Sequence, residues 1–142
     1  MPRFTRLAVA LSLAALSTCS TAAVASGVEP APVDHLTLTV THSGDPAANG
    51  TFELTCHPAG GTHRAPQAAC DRLDEVTTWG TDPFAPPQPD SLCTMQYGGP
   101  ATAHVTGTWA GRPVDATFNR TDGCEIARWD SFTPVLPTMT AP

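Results

Sequence analysis

The chain has 142 residues, 15 of them proline, and a formal charge of −6. Beyond residue 25 it carries five arginines, no lysine and all 13 acidic residues, a formal charge of −8. That balance excludes nucleic-acid backbones and anionic membrane surfaces as partners, since both call for clustered cations. Arg3 and Arg6 precede an apolar run over residues 7–16, and Ala23-Val24-Ala25 has the small-x-small form of a cleavage site. Residues 1–25 are therefore expected to be a secretory signal peptide, with an apolar part too short to span a bilayer. Leu16-Ser17-Thr18-Cys19 approximates a lipoprotein box in which Thr18 fits poorly. Unless Cys19 carries lipid, the mature chain is expected to be free of the membrane and extracellular. Residues 26–35 are small and proline-bearing and read as a flexible leader, which leaves one domain over residues 36–142.

Residues 36–41 alternate strictly, Leu-Thr-Leu-Thr-Val-Thr, which predicts a half-buried strand with Leu36, Leu38 and Val40 inward. Ser43-Gly44-Asp45-Pro46 and Asn49-Gly50 turn the chain. Residues 51–56 resume the alternation, with Phe52, Leu54 and Cys56 on one face, and residues 58–61 read as a loop. From Pro66 to Thr77 the period changes: Ala69, Leu73 and Val76 recur at helical spacing behind a proline suited to a first turn. Pro83, Pro86, Pro87 and Pro89 then rule out helix or central strand and predict a stiff extended arm. Residues 94–97 read as extended and exposed. A second hairpin follows, with Ala101, Ala103, Val105 and Trp109 inward, a tight turn at Gly111, and Val114, Ala116 and Phe118 inward again. Residues 124–129 are expected to hold a short helix, and residues 132–136 an edge strand that tolerates Pro134. The sum is an α+β domain: a largely antiparallel sheet of about five strands with two short helices.

Four cysteines follow the leader: Cys56, Cys70, Cys93 and Cys124. An even count in a short secreted chain implies two disulfides. Three pairings exist, and the local one joins Cys56 to Cys70 and Cys93 to Cys124. No Cys-x-x-Cys pair speaks for zinc. The chain lacks a Gly-x-Ser-x-Gly elbow, a His-Glu-x-x-His helix and a glycine-rich phosphate loop, so neither an enzyme nor a cofactor is expected. His57 and His63, with Asp71, are the nearest approach to a metal set, and they read better as solvated loop histidines with no metal.

Thr55-Cys56-His57-Pro58-Ala59-Gly60-Gly61-Thr62-His63, Pro66-Gln67-Ala68-Ala69-Cys70, Cys93-Thr94-Met95-Gln96-Tyr97 and Gly123-Cys124-Glu125-Ile126 together resemble the subtilisin-inhibitor family secreted by actinobacteria. The likeness runs over residues 36–132. It implies a five-stranded antiparallel sheet with two helices, the local disulfide pairing, and a homodimer formed through the sheet. It also implies a pseudo-substrate of subtilisin-like serine proteases and, in some members, of trypsin-like ones. The primary specificity residue would be Met95 and the scissile bond Met95–Gln96. Leu92, Cys93 and Thr94 would occupy P4, P3 and P2, and Tyr97 would occupy P2′.

Three departures stand out. Thr94 replaces a common proline. Gly98-Gly99-Pro100 replaces Asp-Pro and is expected to loosen the primed side. Asp122 stands where the family carries a loop-supporting asparagine, with Asn119 as the nearby substitute. The competing reading is a noninhibitory secreted or cell-envelope binding module with the same fold.

Overall fold

The computed structural model describes residues 33–139. The expected signal peptide, Cys19 and most of the expected leader lie outside those residues. In chain order the elements are β1 (Asp34–Thr41), β2 (Gly50–Cys56), β3 (Gly60–Gly61), α1 (Pro66–Val76), β4 (Thr102–Trp109), β5 (Arg112–Phe118) and α2 (Gly123–Ser131). The strands form one sheet in the order β3-β2-β1-β4-β5, and every neighbouring pair is antiparallel. The α+β class, the five-stranded sheet, the two helices and the two disulfides are all present.

Alternation sets the register. Leu38 lies between Phe52 and Val105, and Val105 pairs on its other side with Ala116. Leu36, Leu38, Val40, Leu54, Ala103, Val105, Val114 and Phe118 all point into one core. The opposite face is threonine-rich. Thr39 meets Thr51 at 3.2 Å, Thr41 meets Thr102 at 2.7 Å, and His104 meets Asp115 at 2.7 Å. Between β4 and β5 both turn residues are left-handed, Ala110 at φ 49° and Gly111 at φ 72°, which matches the twist of a two-residue hairpin.

β1 starts at Asp34, earlier than the leader expectation over residues 26–35 allowed. Asp34 is buried because its Oδ1 accepts the Ala110 N–H at 2.7 Å, which ties the start of β1 to the far hairpin. α1 lacks a side-chain cap and is held from outside. Cys70 is bonded to Cys56, with Cα atoms 5.6 Å apart. At its end, Thr77 Oγ1 donates to the Leu73 carbonyl at 2.6 Å and accepts Trp109 Nε1–H at 2.8 Å.

The expected edge strand over residues 132–136 is not formed. These residues make successive turns, with the Leu136 N–H donating to the Phe132 carbonyl at 3.1 Å. Val135 and Leu136 are consecutive and both buried, which a strand's alternation forbids. The fifth strand is instead Gly60–Gly61, within the stretch expected to be loop. The turning segment brings Phe132 to 4.8 Å from Phe118 and 5.3 Å from Phe84, so it closes the core.

His57, His63 and Asp71 do not converge. His63 Nδ1 accepts the Ala65 N–H at 3.1 Å and its Nε2–H donates to the Val135 carbonyl at 3.0 Å. Asp71 accepts from Gln67 at 2.8 Å. His57 is not simply solvated either: Nδ1 lies 3.1 Å from Asp34 Oδ2 and Nε2 lies 3.1 Å from Asp74 Oδ2. Two carboxylates can both be served only if both ring nitrogens carry protons. Asp74 first, and then Asp34, therefore hold the ring's pKa above the ordinary 6.5. A raised folded pKa gives stability that is fully present below the ordinary value and is lost as pH rises through the raised one. The ring is half-exposed, so the effect is moderated by solvent. We expect the thermal midpoint of wild type minus that of His57→Gln to be larger at about pH 6 than at about pH 9. A difference that is flat or grows with pH would remove this bridge from the account.

Candidate functional site

Residues 91–100 form neither helix nor strand, yet they carry three of the five exposed large hydrophobics among the described residues. Leu92 is 102% exposed, Met95 100% and Tyr97 60%. Holding large apolar side chains in water forgoes about 1.5–3 kcal/mol each. A patch of this kind reads as a surface meant to be covered.

The segment is extended without being free. Cys93 is bonded to Cys124, at the start of α2, with Cα atoms 5.2 Å apart. The Thr94 carbonyl accepts the Gly123 N–H at 3.0 Å. On the other limb, the Gly98 N–H donates to the Arg120 carbonyl at 2.8 Å, and Arg120 Nε–H donates back to the Gly98 carbonyl at 3.1 Å. Met95, Gln96 and Tyr97 thus bridge two fixed points. Among the described residues, no backbone group of these three has a partner within the protein. Their N–H and C=O groups are available to another chain.

The approach to the segment is stiffened in the same way. Phe84 is buried from within the proline-rich arm, and its carbonyl accepts Arg128 Nη2–H at 2.7 Å. Arg128 lies 3.9 Å over the Phe118 ring and reaches the Thr117 carbonyl at 2.8 Å, so one α2 side chain joins arm to sheet. The expected stiff arm is docked at a single buried aromatic.

Neither residue expected to support the loop does so directly. Asp122 caps its own helix: Oδ1 accepts the N–H groups of Cys124 at 2.9 Å and Glu125 at 3.0 Å. A carboxylate beside free N–H groups is the usual N-cap solution, and an ionised carboxylate has no proton to donate to the segment. Asn119 Oδ1 is occupied locally, accepting from the Thr121 backbone N–H at 3.0 Å and its hydroxyl at 2.7 Å. The groups that do hold the segment are the Gly123 N–H and Arg120. An isolated arginine after a strand carries no signal in sequence that could have singled out Arg120.

Gly98 does not loosen the limb after Met95. A Cβ on Gly98 would lie 2.8 Å from Ile126 Cγ1 and 3.0 Å from Arg120 Nε, so the bare backbone is what lets this limb seat against α2. Gly123 plays the matching part opposite: a Cβ there would run into Thr94 Oγ1. A β-branched residue at position 94 is accommodated by the missing side chain at 123. Cys93, Asp122 and Cys124 cluster closely, but both sulfurs are spent in the disulfide and no thiolate remains for a metal.

A family model described as subtilisin inhibitor-like matches residues 32–121. Subtilisin inhibitor-like protein 1 of Streptomyces cacaoi is 37% identical over 90 residues, covering 61% of this chain and 78% of that protein. Subtilisin inhibitor-like protein 8 of Streptomyces virginiae is 35% identical over 75 residues, covering 52% and 67%. Among solved structures, Streptomyces caespitosus sermetstatin in complex with Bacillus licheniformis subtilisin aligns at 28% identity with a TM-score of 0.48, over 75% of this chain and all of that one.

Gly123→Ala is expected to cost about 1–3 kcal/mol in urea unfolding, because the added methyl displaces Thr94. Combined with Thr94→Gly it should cost less than the two single changes together. Strict additivity would mean the Thr94–Gly123 contact is not tight.

Proposed function

This protein belongs to the subtilisin inhibitor-like family, and from that premise we propose that it is a secreted inhibitor of subtilisin-like serine proteases that offers Met95–Gln96 as a substrate-like bond. The observation that carries the reading is the fully exposed Met95 side chain on a backbone pinned one residue before it and three residues after it.

An extended segment with free backbone groups pairs with the edge of a protease cleft while its side chains enter successive pockets. Met95 suits a wide apolar S1 pocket, since an unbranched thioether adapts to irregular walls. Leu92 offers a second apolar anchor at P4, Thr94 fills P2 and Tyr97 reaches the primed side at P2′. Cys93 at P3 supplies the covalent tether. The protease brings all the catalytic groups, and this chain acts by occupancy.

Affinity then comes from what has already been ordered. A flexible peptide loses conformational freedom on binding, whereas the disulfide and the two backbone clamps have removed most of it beforehand. The same clamps make the pair slow to separate. After a cut, the Gln96 amine and the Met95 acyl carbon remain neighbours, at an effective concentration that favours re-formation over hydrolysis. Trypsin-like enzymes are a weaker match, because their S1 carboxylate has no cation to meet at Met95. The homodimer implied by the family resemblance belongs to the same proposal. It would join copies over the threonine face, which presents His104–Asp115 and His35–Glu53 pairs rather than large apolar side chains.

The protein is expected to remove subtilisin activity stoichiometrically. Met95→Lys should move the ratio of inhibition constants toward trypsin by at least about tenfold, since the new cation reaches that enzyme's carboxylate. An unchanged ratio would contradict Met95 as the specificity residue. A folded chain that leaves subtilisin active at any molar ratio would favour the noninhibitory binding module.

A further inference from the structure

Arg120 is a buried arginine whose every feature faces the reactive segment or the helix beneath it. It is 6% exposed in a chain whose mature part is strongly acidic. Burying a guanidinium is costly unless its donors are matched. Here Nε–H donates to the Gly98 carbonyl at 3.1 Å, Nη1–H donates to Asp130 Oδ1 at 2.7 Å, and the plane lies 5.9 Å from the Trp129 ring. Its own carbonyl accepts the Gly98 N–H at 2.8 Å. Gly98 is therefore gripped on both sides of its residue by a single partner, and Gly98 lacks a side chain that would push Arg120 Nε away.

We propose that Arg120 is the positioning residue that makes inhibition persistent, by fixing the limb that carries the amine released when Met95–Gln96 is cut. The inference rests on the inhibitory reading above and adds the group that controls its lifetime. The Met95 limb is fixed independently, through Cys93–Cys124 and the Thr94–Gly123 bond. On the other side of the scissile bond only Gln96 and Tyr97 separate the new amine from the Arg120 clamp. In the reverse reaction the Gln96 amine attacks the Met95 acyl carbon. The ester to the protease serine breaks, the peptide bond re-forms, and the amine proton passes to the serine oxygen through the protease's own base. That return competes with water only while the amine stays in place. Arg120 touches no reacting atom and acts through Gly98.

Arg120→Lys tests this most sharply. Lysine can keep the charge opposite Asp130, but it lacks the planar Nε donor that reaches Gly98. The full-length variant is compared with wild type for thermal midpoint, initial inhibition constant against subtilisin, and the rate of nicking read by mass spectrometry. The expected result is a folded variant that still titrates subtilisin, with an initial inhibition constant weakened by less than its nicking rate rises. Its nicking at Met95–Gln96 should be about tenfold faster, as loss of a charge-assisted hydrogen bond allows. A purely structural role would instead lower the midpoint and scatter cuts along the chain, and that result overturns the proposal. So does a folded variant nicked at the wild-type rate. If Arg120→Lys fails to fold, Asp130→Ala serves in its place. It releases Arg120 from its half-exposed partner and should still speed cutting at the same bond; an unchanged rate overturns the proposal. Failure of the inhibitory reading is separately visible as wild type that does not titrate subtilisin. In that case the assignment of Arg120 falls with it.

Discussion

The first residues of an α-helix carry backbone N–H groups that the helix itself cannot satisfy. At α2 these are met from two directions. Asp122 takes those of Cys124 and Glu125, and the Thr94 carbonyl takes that of Gly123. The second bond makes the displayed segment part of the helix cap. Neither end is free to move alone: releasing Thr94 leaves a helix donor unpaired, and fraying the helix releases the segment. The Cys93–Cys124 link spans 31 residues of sequence at the same place, and closing such a loop removes about 4 kcal/mol of unfolded-state entropy. A covalent tether at Cys93 and a cap bond at Thr94 thus converge on the two residues before Met95.

Everything behind α2 serves to fix that helix. Trp129 is fully buried, and its indole N–H donates to the Pro137 carbonyl at 2.9 Å. Arg128 reaches across to the sheet and to the proline arm, while Arg72 of α1 donates to the Ser131 carbonyl at 2.7 Å. The sheet supplies a rigid floor, and the turning segment after α2 closes the core with Phe132, Val135 and Leu136. Among the described residues, three of the five large apolar side chains left exposed lie on the segment. That is where a partner's surface would cover them.

The strands were legible because alternation survives without context. Leu36, Leu38 and Val40, or Val114, Ala116 and Phe118, admit one face inward and no other. The exposed character of residues 94–97 was legible too, from the prolines before and the glycines after. What failed to show were features defined by distant contacts. Residues 132–136 look like a strand by composition, but helix-type turns continue out of α2 and send Val135 and Leu136 both inward. Asp122 looked like a loop support because it stands where the family carries asparagine. A carboxylate next to two unpaired N–H groups caps its own helix instead. Gly98 looked like slack because glycine is permissive in isolation; here a side chain would have to displace Ile126 and Arg120. His57 looked solvated because the two carboxylates that hold it come from 23 residues before and 17 after.

In the proposed inhibitor, both limbs beside Met95–Gln96 stay in place whether or not the bond between them is intact. The direct measurement is the equilibrium between intact and nicked protein in the presence of catalytic subtilisin, approached from each side. Starting from intact chain and starting from purified nicked chain should converge on one ratio with a substantial intact fraction, because the nicked ends remain positioned to rejoin. Nicked protein that never regains the bond, while intact protein is consumed to completion, would contradict it.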